Sequence, residues 1–436
     1  MRLLITDPYT PQSYDIIRAL HDLCGKIIIT VPRMGRLPSL FSPAAHSRLV
    51  TKTYQLKSAR PSGALEMILG KSYQAGPEKE YIDEIMDICE RERIDLIYPT
   101  DDDQVFLLSK HKKAFAEKGV FIPINEFEIL KTVADKFEVI RLAESKGIPH
   151  PKTFLASEIK ELPLREENST EPVAIIKPRF GNASRGVFFV NEESGWKRWL
   201  EANRSNLHKF VVQEYIPGDT IVNLRVYMKR DGTVLFASCS GCRRPQLIIH
   251  QSCGIVHTKA GFPPCYEKVV SLLRDKNYFG YAHAQFKIDS RCGAHKLMEI
   301  NVRIGRGTWT EMRMGVNRPL ISLSLFRNTA VEVPEAVDET NVIFVYPMQD
   351  IFVFILYLFS LPKAAFKRWA LRSRKTRRLP GISEMLKHYY AVYFSGRKKI
   401  ECDNYFKFFF KDTLVSLTYW FSFCYQLRKK YREWDY

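Results

Sequence analysis

The stretch His283–Arg303, HAQFKIDSRCGAHKLMEINVR, decides the fold. Ala284 to Ile288 half-alternates apolar and polar residues, Arg291-Cys292-Gly293 has turn composition, and a second strand closes on Met298-Glu299-Ile300-Asn301-Val302-Arg303. That spacing predicts a β-hairpin. Alternate residues of a strand point to one face, so Gln285, Glu299 and Asn301 can share a side of the sheet. Their oxygen donors on a stiff sheet suit Mg²⁺, a hard cation that prefers oxygen and keeps substrate phosphates in its shell. Mn²⁺ takes similar donors. The plain alternative is the polar outer face of an antiparallel sheet.

Working upstream, Val173–Val190 reads VAIIKPRFGNASRGVFFV. An apolar strand, Val173–Ile176, delivers Lys177, and a loop with Gly181, Asn182, Ala183, Ser184 and Gly186 follows. Small residues let the backbone approach a phosphate, and consecutive amides can line an anion. The stretch is neither a GxxxxGK[ST] nor a GxGxxG loop. Phe210–Asp219, FVVQEYIPGD, is an apolar strand that runs through Gln213-Glu214-Tyr215-Ile216 and stops at Pro217-Gly218. A strand ending in a linker can offer backbone N–H and C=O groups to a purine edge while apolar side chains cover the ring. Alone, that segment reads as an ordinary strand and turn.

Together and in this order, the segments resemble the ATP-grasp superfamily, nearest its carboxylate–amine ligase and carbamoyl-phosphate-synthase-like branches. The resemblance spans roughly residues 1–330 and includes Ala134-Asp135-Lys136 and Gly147–Phe154, which look like the opening of the nucleotide-binding core. It implies an ATP-grasp fold, α/β and α+β, behind a parallel α/β (pre-ATP-grasp) domain. It implies an enzyme that binds ATP and Mg²⁺, activates a carboxylate as an acyl phosphate, joins it to an amine and releases ADP.

Carried over residue by residue, the resemblance puts Lys136 and Lys177 on the ATP phosphates, with Gly181, Ser184 and Gly186 in the loop above them. Glu214, Tyr215 and Ile216 would hold adenine, and Asp219, or Asn223 instead, the ribose. Gln285, Glu299 and Asn301 would bind the metal, Gln285 standing where most of the family has an acid. Arg303, with Lys177, would stabilise the transferred phosphoryl group or the acyl phosphate, in an Asn-Val-Arg sequence where the family usually has Asn-Pro-Arg. Arg225, Arg243, Arg244 and Arg306 are candidate substrate-carboxylate clamps, because guanidinium binds carboxylate bidentately.

The rest of the chain frames these segments. Up to about Ile124 strand-like runs (Leu3–Thr6, Ile27–Val31, Asp95–Thr100, Gly119–Pro123) alternate with helix-like runs (Ser13–Leu23, Glu80–Arg91, Asp103–Glu117), which implies a parallel sheet. We expect domains over 1–124, 125–335 and 341–436. Nine cysteines without disulfide spacing suit a reducing compartment, and Met1–Asp7 reads as a strand and loop and not as a secretory leader, so a cytoplasmic setting is expected. Cys239-Ser-Gly-Cys242, with His250, Cys253 and His257 behind it, has zinc-type residues but no second pair at zinc spacing.

Of the formal net charge of +18, much lies in 341–436, where eighteen Lys and Arg face seven Asp and Glu. Lys363–Arg378 holds eight basic residues and no acid, and follows the apolar run Ile351–Phe359; Phe406–Leu427 is a second aromatic run. Neither is a clean transmembrane segment. The tail is expected to be helical, basic and rich in aromatics. It fits an anchor on the anionic inner membrane face, a helical domain with a solvated basic face, or an unspecific nucleic-acid binder without a recognised motif. The competing functional reading is a non-catalytic nucleotide-binding or basic interaction module that kept the fold.

Overall fold

Strand β1 (Arg2–Thr6) begins the chain and pairs in parallel with β2 (Lys26–Val31) and β4 (Leu96–Ile97). β3 (Lys52–Gln55) adds to β2, giving the order β3-β2-β1-β4. Leu3, Leu4, Ile5, Ile28 and Ile29 are fully buried, as a parallel sheet covered on both faces requires. The computed structural model describes residues 1–6, 8, 11–31, 42–61, 76–162, 173–181, 186–190, 192–218, 220–243, 255–257, 262–305, 308–334, 342–345, 354, 358, 382–394 and 398–401.

Helices α1 (Pro11–Leu20), α2 (Glu78–Glu92) and α3 (Asp102–Glu117) belong to this parallel-sheet region. α2 buries Tyr81, Ile82, Ile85, Ile88 and Cys89, the spacing of one helical face, and stops at Arg93, which adopts φ 52°. Asp101 caps α3 by accepting the Gln104 N–H. The expected strand at 119–123 is reduced to a bridge between Phe121 and Leu96. β3 was not anticipated: its residues are polar and mostly exposed, so an apolar pattern cannot mark it.

Two further sheets follow. Helices α4 (Phe127–Ala134) and α5 (Lys136–Ser145) lead into a small antiparallel sheet. Its strands are β5 (Thr153–Leu155), β6 (Ala174–Pro178), β7 (Phe188–Val190) and β8 (Phe210–Glu214), in the order β5-β8-β6-β7. Helix α6 (Glu193–Ala202) supplies the fully buried Trp196 to the core beneath it. The large sheet contains β9 (Thr220–Met228), β10 (Val234–Arg243), β11 (Ile255–His257), β12 (Gly280–Ile288), β13 (His295–Asn301), β14 (Val342–Val345) and β15 (Lys398–Glu401), in the order β13-β12-β9-β10-β11-β14-β15. α7 (Tyr266–Asp275), α8 (Thr308–Met312) and α9 (Arg318–Arg327) complete this region.

One apolar core joins the parallel sheet to the large sheet. Leu4, Ile28 and Ile97 share it with Leu224, Ala284, Phe286, Leu297 and Ile300. Because strand side chains alternate, burying Leu224, Ala284 and Ile300 sends Asn223, Gln285 and Glu299 to the opposite face. The predicted hairpin is therefore present as β12–β13, and its polar face is turned away from this core.

The tail departs from an all-helical region. β14 pairs antiparallel with β11 and parallel with β15, so two short strands extend the large sheet, and one described helix, α10 (Ile382–Tyr393), accompanies them. Among the described residues no helix is long and apolar enough to cross a membrane. The basic run 363–378 and the aromatic run 406–427 lie outside the described residues.

Candidate active site

The polar face of the large sheet is organised in two rows across four strands. Ser240, Asn223, Gln285 and Glu299 pair across β10, β9, β12 and β13, and Ser238, Arg225, His283 and Asn301 form the neighbouring row. A bulge between Gln285 and Phe286 shifts the register after the first row, leaving Met298 as the extra residue. Asn223 Oδ1 accepts from Gln285 Nε2 at 3.2 Å and from His283 Nε2 at 2.9 Å. Asn301 Nδ2 donates to Glu299 Oε1 at 3.0 Å. Both side-chain amides donate through nitrogen, which leaves the oxygens of Gln285 and Asn301 available as ligands.

The charges converge on Glu299. Lys136 Nζ lies 3.5 Å from its Oε2 and donates to the Gly181 carbonyl at 2.9 Å. Lys136 opens α5 and is buried; Asp135 caps the helix and binds Arg179, with the closest contact at 2.6 Å. Burial works to raise the Glu299 carboxyl, but Lys136, the Asn301 hydrogen bond, Lys177 and Arg303 outweigh it and hold the group below the usual carboxylate range. Lys177, on β6, is pushed down to about 8 by burial, with Lys136 and Lys287 adding to the effect and Glu299 opposing it. Residues from α5, the small sheet and the large sheet thus form one charged patch.

Magnesium fits this donor set. Among the described residues no group of three His, Cys, Asp or Glu side chains could hold a metal, so an all-protein cage is absent there. One ionised carboxylate with two amide oxygens is instead the partial shell that Mg²⁺ completes with phosphate and water.

The hinge is clamped to the hairpin turn. Glu214 binds Arg291 at 2.5 Å and Lys296 at 3.3 Å, and its carboxyl stays below its ordinary value although burial acts to raise it. Asp289 joins the network through Arg291 at 2.7 Å and Lys296 at 3.2 Å. Tyr215 and Ile216 are buried behind it, with Lys287 4.9 Å above the Tyr215 ring. Gly218 adopts φ +115°, and a Cβ there would come within 2.6 Å of the Ile288 carbonyl, so the close approach of hinge and hairpin needs glycine.

Arg303 donates from Nε to Asp102 Oδ2 at 3.0 Å. Arg225 binds Glu311 at 2.9 Å and Ser240 at 3.0 Å, and Arg318 grips the other Glu311 oxygen, all three charged groups being buried. The Arg225 guanidinium is thereby tied into the floor of the sheet. Gly186 adopts φ +66° beside Pro178. Ser184, Asp219, Arg244 and Arg306 lie outside the described residues, as does the side chain of Arg243. Cys239 stands on β10 with its thiol pushed up to about 11 by burial, while the side chains of Cys242, His250, Cys253 and His257 are outside the described set.

The segments around Asp135 and Asp102 were marked by the sequence without a role for either side chain, and His283, Glu311 and Arg318 were not singled out at all. Of these three, His283 carried a signal, since it is two residues before Gln285 on the same strand and shares its face.

The sheets and this patch define an ATP-grasp fold. Residues 133–239 match the family described as ATP-grasp domain, and residues 75–123 match the family described as PylC-like, N-terminal domain. Among proteins of known activity, a D-aspartate ligase of Enterococcus faecium (strain Aus0004) is 26% identical over 246 residues, 51% of this chain and 56% of that protein. The chain thus aligns with little more than half of that relative's length. Among solved structures, the biotin carboxylase domain of Hydrogenobacter thermophilus 2-oxoglutarate carboxylase, solved with MgADP and bicarbonate, superposes with a TM-score of 0.55 at 15% identity, covering 77% of this chain and 72% of that one. An L-amino acid ligase from Bacillus licheniformis gives 0.51 at 15% identity, covering 75% and 74%.

Proposed function

We propose that this protein is an ATP-dependent ligase that activates a carboxylate as an acyl phosphate and joins it to an amine, releasing ADP and phosphate. The observation that carries this reading is the approach of Lys136 to Glu299 at 3.5 Å, with Lys177 acting on the same carboxylate from a different sheet. Three distant segments thereby supply cations and a hard oxygen donor around one patch, which is what a nucleoside triphosphate with its metal requires.

In this reading Lys136 and Lys177 hold the ATP phosphates under the 181–186 loop. The hinge backbone at Glu214, Tyr215 and Ile216 holds adenine, with Asp219 at the ribose. Gln285, Glu299 and Asn301 hold Mg²⁺, which when bound neutralises phosphate charge. An oxygen of the substrate carboxylate attacks the γ-phosphorus, the bond to the ADP oxygen breaks, and ADP leaves. The amine nitrogen then attacks the acyl carbon, phosphate departs, and the proton passes to solvent. Arg303 stabilises the phosphoryl group as it transfers, and water must stay out to spare the acyl phosphate.

We divide the chain functionally at 1–124, 125–335 and 341–436. The similarity to a D-aspartate ligase makes D-aspartate the first carboxylate to test. We place the acceptor among cell-surface polysaccharide or lipid-linked precursors at the inner membrane face, on the strength of the basic run 363–378. Co-sedimentation of the full chain with anionic and with neutral vesicles tests that placement; equal recovery on both removes it.

ADP release over a panel of amino acids and sugar acids, each with and without amine acceptors, tests the chemistry. We expect release with at least one acid and none without Mg²⁺. ATP binding with no release across the panel would favour the second reading, a nucleotide-binding module without turnover, which the neutral Gln285 supports.

A further inference from the structure

Arg303 is gripped on one side. Its Nε–H donates to Asp102 Oδ2 at 3.0 Å, and the two side chains are only 10% and 8% exposed. Nη1 reaches the Ile304 carbonyl at the long distance of 3.5 Å, and Nη2 has no hydrogen-bond partner among the described residues. The stem side of the guanidinium is therefore fixed, Nη1 is held weakly, and among the described residues Nη2 is left for an anion.

The grip comes from the other sheet region. Asp102 opens α3, where the helix dipole favours a carboxylate, and Arg303 follows β13. The neighbouring acids have another partner: Arg60, 1% exposed, binds Asp101 at 2.9 Å and Asp103 at 3.4 Å. Asp101 also caps the helix. Flanked by residues held in this way, Asp102 sits on an anchored helical turn and presents a fixed carboxylate to Arg303.

We propose that Asp102 is a positioning residue for phosphoryl transfer. It holds Arg303 in the orientation in which the guanidinium fork meets the transferred group, so seating the parallel-sheet region on the large sheet completes the site. This rests on the role given to Arg303 above. A merely adhesive contact would behave differently, and the molecule contains one for comparison. Asn125, in the segment after α3, ties that segment to the start of β12 by donating to the Phe279 carbonyl at 2.7 Å and accepting the Phe279 N–H at 3.3 Å, without touching Arg303.

The test measures the affinity of Mg²⁺–ADP with and without fluoroaluminate, which occupies the place of a phosphoryl group in flight and needs no carboxylate or amine. The wild type should bind more tightly with fluoroaluminate. Asp102→Asn should lose about tenfold to a hundredfold of that gain, the range for one charge-assisted hydrogen bond, with ADP affinity unchanged. Arg303→Lys should lose the same gain, and the double variant no more. Asp102→Glu should recover part of it, and this variant carries the test if Asp102→Asn unfolds. Asn125→Ala should keep the gain. The proposal falls if Asp102→Asn keeps the gain, if Asn125→Ala loses as much, or if the wild type gains nothing. A wild type that shows the gain yet turns over no carboxylate sinks the ligase reading and leaves the role of Asp102 standing.

Discussion

Replacing Lys177 by methionine should make the nucleotide-free protein more stable while ending its ATP binding. The ammonium is moved from the ordinary 10.5 to about 8, first by burial and then by Lys136 and Lys287, against the pull of Glu299. That interval corresponds to a penalty of about 3 kcal/mol on the charged form in the folded state. In the unfolded chain the amine keeps its proton up to 10.5, and in the folded chain only up to about 8. Below the lower value both states are charged and the fold carries the whole penalty. Between the two values the unfolded chain binds the extra proton, so the wild type gains stability as pH rises. Methionine fills similar space without a charge. Lys177→Met should therefore exceed the wild type by up to about 3 kcal/mol near neutrality, with the gap closing as pH climbs from about 8 to 10.5. Heat-unfolding midpoints of both proteins from neutral to alkaline pH measure this, with the permanently charged Lys177→Arg as the control. Saturating ATP should raise the wild-type midpoint and leave that of Lys177→Met unmoved. A less stable Lys177→Met at neutral pH, or a gap that does not change with pH, would refute the reasoning.

Three other outcomes follow from contacts already described. Glu299→Ala should abolish Mg²⁺-dependent ADP release while preserving the circular-dichroism spectrum; retained turnover would remove Glu299 from the metal site. Gly218→Ala should cost about 1–3 kcal/mol, because the backbone must hold a strained φ and the carbonyl it meets cannot rotate away. ATP titration should show weaker binding in parallel, and unchanged stability would mean that hinge and hairpin are not in close contact. Glu311→Gln should cost about 3–5 kcal/mol by removing the charge that the buried Arg225 and Arg318 share, and replacing all three residues by apolar ones of similar volume should recover much of that loss. Soluble yield and unfolding midpoint read both effects.

Much of the ATP-grasp framework was legible in the chain. The hairpin of β12 and β13 announces itself because strand alternation and a glycine turn are local properties, visible within 283–303. The strand carrying Lys177 and the hinge ending at Pro217-Gly218 are equally local. β3 escaped because an exposed edge strand has no apolar face to write into its sequence. The tail was expected as helix, yet Val342–Val345 and Lys398–Glu401 are strands. Residues this few take the conformation that a neighbouring sheet edge offers, and their own propensity decides little.

The sequence by itself determined the strands that carry Lys177, Gln285, Glu299 and Asn301, and the family resemblance proposed these four with Lys136 and Arg303 as candidates for one nucleotide. Only the tertiary structure decided what stands opposite each of them. Asp102 meets Arg303 across 201 residues, and Asn223 comes to lie between Gln285 and His283 because β9 pairs with β12. Such meetings depend on strand order and on how one sheet region packs against another. These are set by the sum of many buried apolar contacts, and no short window of sequence contains that sum.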